Sequence, residues 1–366
     1  VNETRFQFTH QTTGDTANNR VPTTNVQEAF TGGGSQIGLT STQQNRWELA
    51  NTTSLALGTQ TVRFGARVRG VQTTSFAPQN FGGTWTFAGT RRPGQTTGQT
   101  SIESYQITEQ GLQQGLTPAQ IRLAGGGATQ FTIATGNPKA TVKQMDFGGF
   151  VQDDWKYRPN LMLSFGLRYE NQTNIGSNLN FAPRVGFAWQ PGPVNPQHPA
   201  QTTLRGGFAI FYDRISENLT LNANRYNGTN QQQFIVTDPA LLNSFPTLPS
   251  IAALTAQPVT IDQLANDIQA PYTMLAAISV ERALPHNFTT TATFSHSRTL
   301  HMLRSVAINA PLPGTFFPNL PNSGVRPLGS INNYFQYDST GRFNQNQFIV
   351  TLTSRLNRRA TFNINY

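Results

Sequence analysis

The sequence predicts an all-β protein, a transmembrane antiparallel β-barrel, and three observations carry this prediction. Apolar residues fall on every second position in several segments, as Leu163, Phe165 and Leu167 do in LMLSFGLRYE, and this is the period of a strand. These segments reach the roughly 9 to 11 residues that a tilted strand needs to cross a bilayer. Charged residues make up only 12% of the 366-residue chain, whereas about 25% is usual in soluble domains.

The alternation gives each strand two different faces. The polar register carries charges that we expect on one side of the sheet, toward the barrel interior: Glu48, Arg63, Arg67, Arg69, Arg168, Glu170, Arg184, Arg205, Asp213 and Glu281. The other register carries residues that we expect on the lipid-facing side: Phe64, Leu163, Phe165, Phe187, Phe208, Ile278, Phe294 and Val350. Arg63, Arg67 and Arg69 share one strand face, and each needs a partner because an unpaired charge away from water is costly.

Three segments also resemble a known family. FVQDDWKYRPNLMLSFGLRYE (residues 150–170) is followed by NFAPRVGFAW (180–189) and LRGGFAIFYDR (204–214). Together they resemble the barrel of TonB-dependent outer-membrane receptors, specifically of the Oar-like subgroup, and the resemblance covers most of the chain. It implies a bacterial outer-membrane receptor that binds a nutrient at its outer loops and plug domain, with the plug rearranged by the TonB complex.

Taken in order, the alternating segments predict eleven spanning strands. Their expected positions are residues 3–11, 45–57, 61–71, a strand through Trp155 that ends before Arg158, then 161–170, 181–190, 204–213, 272–282, 287–297, 343–356 and 360–366. Short connections are expected at Gly58, Pro159, Gly192–Pro199, Pro285 and Asn357. An exception is the short connection at residues 171–178, which is expected on the long-loop side. Short turns on one rim and long loops on the other are typical of outer-membrane barrels.

The long connections are expected to form outer loops at about residues 12–44, 82–142, 218–270 and 300–341. Two short helices are predicted inside them. TPAQIRLA has Thr117 as its N-cap, Pro118 at the first helical position and Gln120 to complete a capping box. IDQLANDIQ follows Thr260, which can also cap a helix.

Ligand contacts on a rigid barrel are expected in the outer loops. We therefore select four aromatic residues of the two largest loops as candidate ligand-binding residues: Trp85, Tyr105, Tyr226 and Phe234. The alternative is that these rings only pack their own loops.

The sequence gives little support to catalysis, to a metal site or to nucleic-acid binding. Asp153 and Asp154 are adjacent, so on a strand they point to opposite faces and cannot act as a carboxylate pair. The five histidines lack zinc-ligand spacing, and there is no cysteine. The net charge of +9 comes from arginines scattered singly along strands, whereas nucleic acid requires a basic patch. We expect no enzyme activity, no cofactor, no metal and no nucleic-acid partner.

The strand count predicts an incomplete barrel. Plugged outer-membrane transporters have about 22 strands, so eleven strands would form about half of such a barrel. We expect residues 1–366 to form one open, partial barrel domain whose first and last strands are unpaired edges. The sequence opens at Val1 and shows no signal peptide, plug domain or TonB box. We therefore expect the chain to be a piece of a longer protein.

The leading hypothesis is a receptor for TonB-dependent nutrient uptake in the bacterial outer membrane. Its expected partners are outer-membrane lipid and lipopolysaccharide, the TonB complex acting through the plug domain, and a nutrient that the sequence does not identify. A surface adhesion or scaffold barrel that binds polymers through its long loops is the alternative from another class. A passive porin is a third hypothesis.

Overall fold

The computed structural model describes residues 1–17, 21–89, 98–192, 201–255, 257–317, 323–357 and 360–366. Most of the predicted proline-rich turn from Gly192 to Pro199 lies outside these residues. Within them the strands are β1 (Asn2–Asp15), β2 (Thr23–Val26), β3 (Phe30–Gly33), β4 (Thr40–Leu57), β5 (Gln60–Phe76), β6 (Thr84–Phe87), β7 (Gln130–Gly136), β8 (Lys139–Arg158), β9 (Leu161–Gln172), β10 (Asn180–Trp189), β11 (Thr202–Tyr212), β12 (Gln231–Val236), β13 (Val259–Leu264), β14 (Tyr272–Leu284), β15 (Phe288–Ala307), β16 (Asn333–Asn357) and β17 (Ala360–Asn365). The helices are α1 (Ser101–Gln113), α2 (Pro118–Leu123), α3 (Glu217–Arg225), α4 (Pro239–Leu242) and α5 (Ile251–Thr255).

Eleven of the described strands form one continuous antiparallel ladder, in the order β1, β4, β5, β8, β9, β10, β11, β14, β15, β16 and β17. All except β17 contain between 10 and 25 residues, which is enough to cross a bilayer at a tilt. In the described part of the chain, β1 pairs only with β4 and β17 only with β16, so the ladder does not close. The prediction of an open, all-β partial barrel is confirmed, and the ladder has eleven strands, of which β17 is short with 6 residues.

The ladder has two chemically different faces. Directly paired residues of antiparallel strands point to the same side, so each face can be followed from strand to strand. One row crosses β4, β5, β8 and β9 as Glu48, Arg69, Asp146 and Gln172. We call the side that carries this row the charged face. Phe64, paired with Val151, belongs to the opposite side, the apolar face. Large side chains of the apolar face are exposed, for example Phe165 at 47% and Ile278 at 51%.

Several strands extend further toward the long-loop rim than their apolar pattern predicts. The added part of β4 and β5 is rich in Thr, Gln and Ser, so it carries no apolar alternation. Its side chains bond across the strands, since Thr42 Oγ1 donates to Ser75 Oγ (3.1 Å) and Gln44 Nε2 donates to Thr73 Oγ1 (3.0 Å). These polar cross-strand pairs continue the ladder where the hydrophobic signal has ended.

The outer loops pack together into a folded unit, which we call the loop module. It consists of the short strands β2, β3, β6, β7, β12 and β13 with helices α1, α2, α4 and α5. Its strands pair in the order β3, β2, β6, β7, β12, β13, and β13 then pairs in parallel with the start of β16. Since β7 ends two residues before β8 begins, the module connects β8 to β16 along the long-loop rim.

The helix predictions are partly correct. Helix α2 has the predicted capping box, in which Thr117 and Gln120 bond reciprocally. The predicted helix at residues 261–269 is wrong, because β13 occupies Val259–Leu264 and pairs with β16. The open edge of β16 supplies hydrogen-bond partners that override the local helical period. Helix α1 was missed, although Thr100 and Glu103 form a capping box that marks its start.

In the described ranges, none of the helices is both long and apolar enough to span a membrane. Helix α3 packs on β8 at the charged face and also contacts β13 of the loop module. Leu221 of α3 is buried with Ala140 and Val142 of β8. We refer to residues 213–226, which contain this helix, as the α3 segment.

Candidate functional site

The ladder register places the predicted charges with respect to the two faces. Nine of the ten lie on the charged face, and Asp213 follows one residue beyond the end of β11. The residues predicted for the opposite side all fall in the other register: Phe64, Leu163, Phe165, Phe187, Phe208, Ile278, Phe294 and Val350. Arginines and carboxylates of neighbouring strands are thereby brought within contact of one another.

Each of the three arginines on β5 has a carboxylate partner on a neighbouring strand. Arg63 lies 2.6 Å from Asp154, and Arg67 lies 3.8 Å from Glu48. Arg69 contacts one carboxylate oxygen of Asp146 through both Nε (2.6 Å) and Nη2 (2.5 Å). The β8 partners were not identified from the sequence, because only the β5–β8 register reveals them.

Asp146 is the most buried member of this network. Its side chain is 2% exposed, and its second oxygen accepts a 3.0 Å hydrogen bond from Gln144 Nε2. A second arginine, Arg214, lies 3.7 Å away. A carboxylate removed from water is tolerated only when it is paired and hydrogen-bonded in this way.

Glu170 forms the second carboxylate centre, adjacent to Asp146. It pairs with Arg168 of its own strand and, at 3.6 Å, with Arg214 of the α3 segment. Arg184 stacks on Phe211 instead, with its guanidinium carbon 4.8 Å from the ring centroid. In the described part of the chain, Arg184 has no carboxylate within ion-pair distance, and its Nε has no hydrogen-bond acceptor.

The α3 segment is fixed to the charged face by hydrogen bonds at its start. The Ile215 carbonyl accepts from Gln172 Nε2 (2.8 Å) and Gln144 Nε2 (3.3 Å), while the Ile215 amide donates to Gln172 Oε1 (3.0 Å). Glu217 accepts from Gln44 (3.1 Å) and from Arg46 (3.4 Å). The segment therefore covers the buried network at the long-loop end of the strands.

Next to this network the charged face has an open groove of ≈ 570 Å³. Its floor consists of small residues in register, with Gly186 paired to Gly207 and Gly207 to Ala277. Arg184 and Arg205 line it, and Arg205 is paired with Glu281 at 2.9 Å. Small side chains leave room for another chain or a ligand to approach the sheet backbone.

The structure places three of the four predicted ligand-binding aromatics in the loop-module core. Trp85 and Phe234 are 1% and 3% exposed and belong to one hydrophobic cluster, against which the half-buried Tyr105 packs. Tyr105 makes an edge contact of 5.1 Å with Phe87. Burial raises the pKa of the Tyr105 hydroxyl, with a smaller contribution from the negative charge of Glu109.

Tyr226 and Phe234 meet at a second place, a polar pocket of ≈ 440 Å³ between the α3 segment and the loop module. Four amide side chains share its lining with five apolar residues, and Tyr226 donates from its hydroxyl to Gln79 Oε1 at 3.3 Å. Trp85 and Tyr105 are not part of this pocket. Near it, Asp262 of β13 has a raised pKa because burial disfavours its charged form.

Among the described residues, no group of three or more His, Asp or Glu side chains lies close enough to hold a metal ion. Three of the histidines instead make hydrogen bonds to polar groups of the chain. His10 bonds with Asn45 (2.6 Å), His296 with Asn346 (2.7 Å) and His301 with the Ser339 carbonyl (3.3 Å).

Comparison with known proteins gives two kinds of match. A family profile described as an outer membrane beta barrel domain matches residues 2–178 and 174–366. None of the curated protein sequences matches the chain significantly. Solved structures share the fold at low identity, and they include the outer membrane transporter YddB from Escherichia coli (12% identity, TM-score 0.56), which aligns with 96% of this chain and 37% of its own.

A mutant of the ferric enterobactin receptor PfeA from Pseudomonas aeruginosa also aligns with the whole chain. The identity is 13% and the TM-score 0.54, and the alignment covers 40% of the receptor. Another PfeA mutant, solved in complex with enterobactin, aligns at 12% identity and a TM-score of 0.51. The chain thus spans about two fifths of the length of these structures, and at such identities the likeness establishes the fold alone.

Proposed function

Since this chain belongs to the outer membrane β-barrel domain family and resides in the bacterial outer membrane, we propose that it forms part of the wall of a receptor for TonB-dependent nutrient uptake. The fold that it shares with an outer membrane transporter and a ferric enterobactin receptor supports this proposal. The proposed activity is transport and not catalysis. We assign it to the whole receptor, of which this chain forms a part. The Oar-like subgroup remains a prediction.

One observation carries the proposal most directly, namely the separation of paired charges from exposed apolar residues across the ladder. Phe165 and Ile278 are about half exposed on the apolar face, where lipid tails would cover them. Arg69 and Asp146 are paired on the opposite face, which would line the lumen. Outer-membrane lipid and lipopolysaccharide are therefore the proposed partners of the apolar face.

We assign ligand capture to the outer loops. The loop module has its own hydrophobic core, so it can hold its surface in a fixed shape. Trp85 and Phe234 would support that shape from inside, whereas the amide-lined pocket beside Tyr226 is open to a ligand. Tyr105 would stabilise helix α1 against the same core.

We assign the link to TonB to a plug domain outside this chain. The groove beside Arg184 and Arg205 gives such a domain a place to contact the wall. Arg184 has no carboxylate partner within the described residues, so it is available to an acidic side chain of a plug. The proposal includes no cofactor, no resident metal and no nucleic acid.

Radiolabelled uptake in cells tests this function. The gene that encodes the chain is deleted, and growth and uptake are measured on a panel of ferric chelates, peptides and oligosaccharides. We expect the uptake of one nutrient to be lost, to return with the gene and to be lost again when TonB is removed. Uptake that persists without TonB would instead identify a passive porin. Unchanged uptake of all nutrients, together with weaker surface attachment, would identify an adhesion barrel.

A further inference from the structure

A cleft that none of the functions above uses lies at the long-loop rim of the sheet. It has a volume of ≈ 630 Å³ and is bounded by the connection between β9 and β10 and by the loop that precedes β14. Its lining includes Tyr212, Tyr272, His301, Asp267, Asn178 and Gln269. The lining contains no Lys or Arg.

Three rings form a continuous shelf along this cleft. Tyr212 and Tyr272 are paired across β11 and β14, with ring centroids 5.2 Å apart and an interplanar angle of 40°. His301 continues the row, 5.5 Å from Tyr272 at 45°. All three residues are half-buried, so each ring is supported on one side and accessible on another.

The position of His301 results from an irregularity in the ladder. The β15–β16 register shifts between Thr299 and Met302, and His301 has a φ of +57°. Such a conformation is costly for a non-glycine residue and is kept where the surrounding structure imposes it. The bulge turns the imidazole toward Tyr272, and the Ser339 carbonyl contacts its Nδ1 at 3.3 Å.

The shelf belongs to the apolar face. Tyr212 has the same register as Phe208 on β11, and Tyr272 has the same register as Ile278 on β14. Both tyrosines stand where a strand meets a long loop. In an outer-membrane barrel this level is the boundary between hydrocarbon and polar headgroups, where aromatic residues concentrate.

The chemistry of the lining selects the class of ligand. A phosphate or another anion would meet Asp267 and no Lys or Arg. A purely apolar ligand would offer no partner to the Gln269 amide or to the Asn178 amide nitrogen, whereas Asn178 Oδ1 already accepts from Asn171 (2.9 Å). A sugar ring can place its C–H face on the aromatic shelf and exchange hydrogen bonds between its hydroxyls and the amides and carboxylate.

We infer that this rim cleft binds a neutral saccharide. Two sources share that chemistry, a free oligosaccharide and the carbohydrate part of a lipopolysaccharide standing in the same leaflet. The location at the edge of the apolar face brings the second source within reach of the cleft.

The test uses the full chain folded in detergent micelles. The probes are intact lipopolysaccharide from the source bacterium, a lipid-free oligosaccharide of its neutral outer sugars, and its lipid A without the core sugars. We expect the oligosaccharide to bind and Tyr272→Ala to weaken it about tenfold, the loss of one stacking contact. Equal affinity for oligosaccharide and intact lipopolysaccharide would mean that the sugar suffices, whereas tighter binding of the latter would identify the glycolipid as the source.

The matched control is Tyr157→Ala, at an exposed tyrosine of the opposite rim whose ring contacts Trp155 at 4.9 Å. It should leave oligosaccharide binding unchanged, and Tyr272→Phe should retain most of it. Thermal unfolding by circular dichroism verifies that each variant is folded. The inference is overturned if the wild-type chain binds no oligosaccharide, if lipid A binds as tightly as intact lipopolysaccharide, or if both alanine variants weaken binding equally.

Discussion

Arg69 of β5 and Asp146 of β8 face each other directly in the ladder, with 2.5 Å between guanidinium Nη2 and a carboxylate oxygen. Asp146 is almost completely buried, and it is joined by Arg214 from the α3 segment. This pair therefore links the barrel wall to the segment that folds over it. Its behaviour under mutation is the first prediction.

Replacing Asp146→Asn should destabilise the folded chain by about 3 kcal/mol, because Arg69 would keep its charge in a buried site without a counter-charge. The free energy of unfolding in denaturant, measured on the chain in lipid vesicles, checks this. Glu3→Gln is the control, since the Glu3–Arg5 pair is exposed at 65% and 73% and should contribute less than about 1 kcal/mol. Equal costs for the two variants would contradict the assigned role of Asp146.

Gln172→Ala should release the α3 segment without unfolding the ladder. Gln172 both donates to the Ile215 carbonyl and accepts from the Ile215 amide. Its loss leaves the buried Ile215 amide without a partner and the carbonyl with only the 3.3 Å bond from Gln144. Hydrogen exchange of residues 213–226 should become faster, while exchange in β9 stays slow. Gln72→Ala, at an exposed glutamine of β5, should have no such effect. Unchanged exchange in Gln172→Ala would show that other contacts hold the segment.

Trp85→Ala should unfold the loop module selectively. Trp85 is 1% exposed and packs on Phe131 at 4.3 Å, and removing a buried indole costs about 3 to 5 kcal/mol. Proteases should then cleave within the outer loops while the strand signal in circular dichroism remains. Leu123→Ala, at a leucine of the same module that is 89% exposed, should leave cleavage unchanged. Loss of the whole strand signal would show that the module and the ladder fold as one unit.

Asp262 should make the stability of the loop module dependent on pH. Burial raises its pKa above the ordinary value of 3.8, so the folded module binds the proton more tightly than the unfolded chain. This contribution is fully present below pH 3.8 and is lost as the pH rises through the folded pKa. Asp262→Asn should remove that dependence and make the module more stable than wild type above the folded pKa. Proteolysis rates between about pH 3 and 7 measure it, and an identical profile in both proteins would refute it.

The alternation of residues such as Phe165 and Ile278 was sufficient to predict the strands and the two faces. It failed at the rim, where Thr42 and Ser75 pair through hydroxyl groups and leave no hydrophobic pattern. It also failed at Asp262, because the residues of β16 that pair with β13 are 73 positions away along the chain, as Thr260 is from Asn333. Local periodicity does not contain such a contact.

The charged network was predictable in part, because the alternation also shows which charged residues share a strand face. The arginines of β5 were identified from their common strand face, and their need for partners followed from the cost of an unpaired charge. Asp146 and Asp154 could be assigned as those partners only from the cross-strand register. The burial of Trp85 depends on the packing of loops that are remote in sequence, so composition alone could not separate a core ring from an exposed one.

The central claim is that the apolar face contacts lipid and the charged face contacts water. The chain has no cysteine, so single spin labels can be attached at Phe208→Cys and Ile278→Cys on the apolar face and at Ala209→Cys and Ser279→Cys beside the groove. Relaxation by oxygen, which concentrates in lipid, is compared with relaxation by a water-soluble nickel chelate in lipid vesicles. The claim predicts that oxygen relaxes positions 208 and 278 more effectively and that nickel relaxes positions 209 and 279 more effectively. The reverse pattern, or equal accessibility at neighbouring positions, would contradict it.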